Sequence, residues 1–241
     1  MSVLNRYGRR WLAAAPVAAI AAVVVPATQA SAAPSPSLVT TTTSTPVTVA
    51  NWAMNDGADG VMHDSSGTGN DGTLQNVATG TYYGFPLQAG STSRVVVPNA
   101  STLNPDDERF VVSLHVSLPA WPKGSLKDFD LIRKGQTSDG FDWKIEVMQG
   151  GKARCFGHGD DGSKSVYTGS ALSIGSWHTI VCTYTPTGLT ISADGKTRSI
   201  NAKIGRIRNT ARLSIAAKVG GSDDGGDQFT GKMKQVVITK G

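Results

Sequence analysis

Glutamate is almost missing from this sequence. Only Glu108 and Glu146 occur, and the rest of the 18 acidic residues are aspartates. Sugar-bond hydrolysis by paired carboxylates needs two acids about 5–10 Å apart across the bond. No Glu-x-Asp-x-x-Glu strand motif supplies them here. Glu146 alternates in phase with Asp142 and Lys144, which reads as a solvated strand face, and Glu108 follows Asp106 and Asp107 in a polar turn. Cysteine is equally scarce. Cys155 and Cys182 cannot build a four-ligand metal site by themselves, and they lack the Cys-x-x-Cys spacing of a redox pair. There is no G-x-S-x-G elbow, no H-E-x-x-H zinc motif, no Walker loop and no dinucleotide fingerprint. His63, His115, His158 and His178 are scattered without a local signature.

Long apolar runs are also few. The main one, residues 12–25, follows Arg6, Arg9 and Arg10 and precedes an Ala30-Ser31-Ala32 cleavage pattern. Residues 1–32 therefore read as a secretory signal peptide, interrupted by Pro16 and Pro26 and short for a membrane span. The paired Arg9-Arg10 also fits a twin-arginine route, with general secretion the plainer reading. Residues 33–46 are Pro, Ser and Thr with little to bury, a disordered spacer. The folded domain is expected over residues 47–241, long enough for one sizeable core. The destination is extracellular, with no membrane span after cleavage.

The leader also carries part of the charge. The chain has 23 basic and 18 acidic residues, net +5; removing the three leader arginines leaves 20 against 18, or +2. That balance gives no reason to expect a nucleic-acid partner. Secretion does give a reason to pair Cys155 with Cys182, because an oxidising compartment favours the bridge. Closing that loop contributes about 3–4 kcal/mol on a chain-entropy argument.

Helical periodicity is nearly absent after residue 46. Period-two alternation is plain over residues 110–118, 141–148, 177–184 and 189–193, with shorter runs at 213–216 and 236–239. Asp194-Gly195 is a tight hairpin turn. Many short strands with Gly-rich turns predict an all-β, two-sheet antiparallel β-sandwich or jelly roll. On the strand pattern Trp52, Trp143 and Trp177 are read as core, and the acidic, Gly-rich stretch 220–229 as a solvated loop.

Several motifs then fall in a familiar order. Trp52-Ala53-Met54-Asn55-Asp56 is followed by Asp64-Ser65-Ser66-Gly67 and Lys134-Gly135. Ser176-Trp177-His178-Thr179-Ile180, Ala193-Asp194-Gly195-Lys196 and Phe229-Thr230-Gly231-Lys232-Met233 complete the series. The series resembles the LamG-like jelly-roll domains of the concanavalin A-like lectin/glucanase superfamily, over about residues 50–239. The resemblance implies two curved sheets packed face to face. It also leaves calcium open, with Asp56, Asp64 and Asn70 as ligands. Lys234 stands where the family's last strand carries an acid, so its ammonium would repel the ion or replace it.

Sugar sites use an aromatic floor with polar groups around it. Three patches qualify: Tyr82 and Tyr83 in GTYYGF, Trp121 in PAWPKG, and His158, Asp160 and Asp161 in GHGDDG. The function expected is a secreted, non-catalytic carbohydrate-binding or adhesion module for an extracellular polysaccharide or cell-surface glycan. Two alternatives stay open: a secreted polysaccharide hydrolase or lyase of the same superfamily, and a protein-interaction domain without a sugar ligand.

Overall fold

A computed structural model describes residues 45–222 and 224–241. The predicted signal peptide and the spacer up to residue 44 lie outside the described residues. No helix among the described residues is long and apolar enough to cross a membrane.

The strands form where apolar residues alternate. In β6 (Phe110–Ser117), Phe110, Val112, Leu114 and Val116 are fully buried, while Val111, Ser113 and His115 point away from the core. The first sheet runs β1-β15-β6-β11-β12-β13, from β1 (Val47–Trp52) and β15 (Gly231–Lys240) through β11 (Trp177–Thr185) and β12 (Gly188–Ala193) to β13 (Lys196–Asn201). The short β4 (Tyr83–Phe85) also pairs with β15. The second sheet runs β10-β9-β8-β7-β14-β5-β3-β2. Its members are β10 (Gly162–Tyr167), β9 (Ala153–Gly159), β8 (Asp142–Met148), β7 (Asp128–Lys134), β14 (Leu213–Ile215), β5 (Arg94–Val97), β3 (Gly72–Gln75) and β2 (Val61–Met62). Neighbouring strands are antiparallel in both sheets.

The inner faces meet in one apolar core. Phe110 of the first sheet and Trp143 of the second lie edge to face with ring centres 5.3 Å apart, and Tyr184 completes the group at 5.9 Å from Trp143. The buried indoles find acceptors: Trp52 donates to the Asn70 carbonyl at 2.8 Å and Trp143 to the Leu103 carbonyl at 3.0 Å. Cys155 on β9 and Cys182 on β11 are bonded, with Cα atoms 5.9 Å apart, so the expected bridge ties one sheet to the other through the core.

Two details position the surface. The register of β15 slips by one residue between Lys234 and Val236, where Gln235 has a φ of 50°. Met233, Val236 and Ile238 all need the core, and only a bulge puts residues spaced three and two apart on one face. Lys232 and Lys234 are thereby left on the outer face. The fully buried Lys134 turns inward, and the three N–H groups of its ammonium are shared among four oxygens at 2.9–3.0 Å, the Asn99 and Asn104 side-chain carbonyls and both oxygens of Asn209. Burial lowers its pKa to about 8, yet those four acceptors pin two loops to β7.

Candidate ligand-binding site

Strand order brings four distant segments together on the outer face of the first sheet. Trp177, Ser117 and Lys232 are register neighbours across β11, β6 and β15, and Thr179, His115 and Lys234 form the next row. Tyr82, the residue before β4, leans over this surface. Its ring is edge-on to Trp177 at 5.9 Å. The Lys232 ammonium lies 4.7 Å from the Tyr82 ring centre, and the Lys234 ammonium 4.6 Å from that of Trp177. Trp177 remains 39% exposed. Beside it runs an open groove of about 440 Å³, bounded by Tyr82, Phe85, Pro86, Leu118, Pro119 and Lys232. An exposed indole beside a largely apolar groove is a surface on which a ligand can stack.

The strand pattern read Trp177 as core, and the structure corrects it. His178, Ile180, Cys182 and Tyr184 take the inner face of β11, so Trp177, one residue out of phase, must face outward. His178 is held inside by Asp194, whose carboxylate lies 2.6 Å from Nδ1. The signal was in the sequence: the buried cysteine fixes the parity of the strand.

The outer face of the second sheet is built differently. Asp130, Asp142 and Glu146 are buried there, with Arg133 among them. Arg133 donates to Asp130 Oδ2 at 2.7 Å and, through Nε and Nη2, to the Gly135 carbonyl. Glu146 is ion-paired with Lys144 and, at 3.1 Å, with Arg154. Arg154 in turn lies 4.6 Å from the Phe156 ring centre. Burial pushes Glu146 up to about 7, against the pull of Lys144. Burial, then the charge of Asp227, raises Asp128 to about 6. The solvated-face reading of Glu146 is thus overturned. So is that of the loop 220–229 at its far end: Asp130 donates its amide to the Asp227 carbonyl at 2.8 Å, and Phe229 is fully buried. This segment fills the edge of β7 that the short β14 leaves open.

Oxygen atoms of Asp128, Asp130 and Glu146 lie within 4.8 Å of one another, a spacing that suits a divalent ion. Arg133 already reaches Asp130, and Lys144 and Arg154 pair with Glu146. Asp128 Oδ1, Asp130 Oδ1 and both Glu146 oxygens nonetheless have no hydrogen-bond partner among the described residues, so the cluster keeps the oxygens that an ion would need.

The remaining expectations sort by burial. Tyr82 belongs to the shelf. Tyr83 is fully buried and donates to Asp56 Oδ1 at 2.5 Å, so its ring offers no face to a ligand. Trp121 is half-buried elsewhere; its indole N–H donates to the Leu172 carbonyl at 2.9 Å, and its ring lies where a Cβ on Gly151 would be. His158 packs edge-on to Phe141 and lies 3.5 Å from Asp142. Asp160 and Asp161 are exposed at the turn between β9 and β10, their amides bonded to the Arg206 and Ile204 carbonyls. The three patches do not converge.

The expected calcium ligands do not fit an ion. Asp64 Oδ1 accepts the amides of Asn51 and Ser66, both at 2.9 Å. Its Oδ2 accepts the Ser66 and Thr68 hydroxyls and the Asn70 amide, at 2.8–2.9 Å. Burial works against its ionisation, but the Ser66, Asn51 and Asn70 amides outweigh it and hold the carboxyl below its ordinary value. The Asn70 side-chain amide donates to the Val49 carbonyl at 2.7 Å. Asp56 accepts from the His63 amide and Tyr83. A cation at Asp64 would face a ring of N–H and O–H donors. Nor does Lys234 stand in for the ion, because its ammonium lies over Trp177 on the sheet's outer face.

These features define a class: a two-sheet antiparallel sandwich with an aromatic shelf on one outer face. The chain belongs to the concanavalin A-like lectin/glucanases superfamily, a laminin G family model of that description matching residues 89–241. No curated protein matches it in sequence. Among solved structures, it is similar to a botulinum neurotoxin type C structure concerned with cell entry through interaction with two ganglioside molecules. That likeness has 14% identity and a TM-score of 0.60, covering 80% of this chain and 47% of that one, so the chain spans about half of the toxin chain. Domain 4 of AbnA, an extracellular arabinanase of Geobacillus stearothermophilus in complex with arabinotriose, is 15% identical with a TM-score of 0.57, covering 81% of this chain and 93% of that one. The Trypanosoma rangeli sialidase in complex with sialic acid is 15% identical with a TM-score of 0.56, covering 79% and 30%. At these identities the likeness shows the fold alone.

Proposed function

We propose that the protein is a secreted, non-catalytic carbohydrate-binding module that holds an extracellular polysaccharide or cell-surface glycan on the Tyr82–Trp177 shelf. The observation that carries the reading is the 39% exposure of Trp177, edge-on to Tyr82 and beside the groove. A large aromatic ring left in water at this place gains most from a pyranose or furanose face. The saccharide complexes of the arabinanase domain and the sialidase lend support, as proteins of like fold. The leader and the disulfide support secretion.

A hydrolase or lyase would draw on Glu146, whose raised pKa suits a general acid. Its pairing with Lys144 and Arg154, and its full burial, argue instead for a structural ion network. Binding on this reading needs no calcium, since both Asp64 carboxylate oxygens already accept protein donors.

A glycan array followed by calorimetry with the purified domain is the test. Binding without release of reducing or unsaturated ends is expected, together with loss of binding in Trp177→Ala. An array with no saccharide bound, or a Trp177→Ala protein that binds as well as wild type, overturns the reading.

A further inference from the structure

The shelf holds two lysines that the sugar reading does not use. Lys232 and Lys234 lie on the same face of β15, two residues apart, and each ammonium sits over a ring of the shelf. Among the described residues neither has a carboxylate within 4.0 Å. The cations of the opposite sheet behave otherwise: Arg133, Lys144 and Arg154 each reach an acid. Two ammoniums without a carboxylate partner beside a stacking surface bind an anionic group more strongly than a neutral hydroxyl. An ammonium held over an aromatic face loses some of its freedom before anything binds.

We propose that the shelf selects acidic saccharides, with a carboxylate or sulfate of the sugar seated against Lys232 and Lys234 while the ring lies against Trp177, Tyr82 and the groove. This rests on the carbohydrate reading above. The bulge at Gln235 makes the arrangement specific to this strand: it keeps Met233 and Val236 in the core and leaves both lysines outside on the side of Trp177. His115, in register with Lys234, and Thr179 beyond it add hydrogen-bonding groups next to the anion's place. The ammoniums contribute charge-assisted hydrogen bonds, and the open position of the shelf makes that contribution dependent on salt.

The experiment compares the purified domain on carboxylated polymers (polygalacturonate, hyaluronan), sulfated ones (heparin, chondroitin sulfate), neutral ones (xylan, arabinan, dextran) and polyphosphate as a bare polyanion. At about 50 mM salt, an acidic polysaccharide of one or both kinds should bind about tenfold or more tighter than the neutral ones, a preference that shrinks at about 500 mM. The carboxylated and sulfated arms identify which anion is taken. The double variant Lys232→Gln/Lys234→Gln should collapse the acidic-to-neutral ratio, whereas Lys232→Arg/Lys234→Arg retains it. Unchanged melting shows that each variant folds. Equal affinity for acidic and neutral polymers, an unchanged ratio in the glutamine variant, or polyphosphate binding as tightly as the acidic saccharides overturns the proposal. In the first two cases the carbohydrate reading still stands, provided Trp177→Ala weakens binding. If no saccharide binds at all, both fall.

Discussion

The two outer faces of the sandwich put similar residues to opposite use. On the first sheet, Lys232 and Lys234 rest on aromatic rings with no acid in reach among the described residues, and Trp177 stays partly in water. On the second, Arg133, Lys144 and Arg154 are drawn among buried carboxylates, and Arg154 covers Phe156. The second face has spent its charges on itself. A buried ion pair gains little net stability over apolar packing, but losing one partner strands the other, so such a network resists change. The first face keeps its charge and apolar surface available, which is the condition for recognising something else.

The largest expected effect breaks the second face. Arg133→Met leaves Asp130 buried without its cation and the Gly135 carbonyl without its donors, and should cost about 3 kcal/mol of stability. Thermal or urea unfolding measures it, and saccharide binding at temperatures where the variant is folded should be retained. A melting curve matching wild type would mean the network is looser than its geometry.

Trp177→Ala does the reverse. Losing the exposed anchor should weaken saccharide binding by about 2 kcal/mol, some thirtyfold, with melting shifted only slightly. Calorimetry and a melting curve on the same sample separate the two effects.

A smaller effect concerns pH. Glu146 and Asp128 have folded pKa values raised to about 7 and about 6. Each binds its proton more readily folded than unfolded, so each destabilises the fold as pH rises from the ordinary carboxylate range through those values. Melting temperature should therefore rise as pH falls from about 8 to about 5. Further acidification should reverse the trend, because Asp64 and Asp106 have lowered pKa values, and their contribution is lost when they are protonated. Asp128→Asn should raise the melting temperature at pH near 8 and do little near 5. A flat profile between those limits would contradict the burial assigned to Glu146.

The smallest expected change is none. EDTA should leave both melting and saccharide binding where they were, since protein donors already fill the Asp64 carboxylate. A calcium-dependent rise in melting temperature would reopen the loop 64–73 or the Asp128–Asp130–Glu146 cluster as an ion site.

Much of the fold was legible because strand parity is a local property. Residues 110–118 and 177–184 announce their inner faces by alternation, and the pairing of Cys155 with Cys182 was expected from the leader's implied oxidising destination. The site was legible only in part. Tyr82, named from the sequence, lies on the candidate shelf, but its neighbour Tyr83, named with it, opens β4 facing the core. Trp177 was missed because its size outweighed its phase. Glu146, Lys144 and Asp142 alternate as a solvated triplet would, and nothing local shows that Arg133, Arg154 and the 227–229 segment close over their face.

The sequence by itself determined the two-sheet class, the bridge and the strongly alternating strands such as β6 and β11, because period and polarity are written along the chain; strands without plain alternation, β7, β9, β10 and β13 among them, were not legible there. Tertiary structure alone decided which outer face is open. His115, Trp177 and Lys232 lie far apart in sequence and meet only because β6 pairs with both β11 and β15, and a one-residue bulge turns Lys234 toward the indole. The same holds for Asp64: its acidity was visible in the sequence, but of the five donors that occupy its two oxygens four come from a loop folded back on β1 and one, the Asn51 amide, from β1 itself.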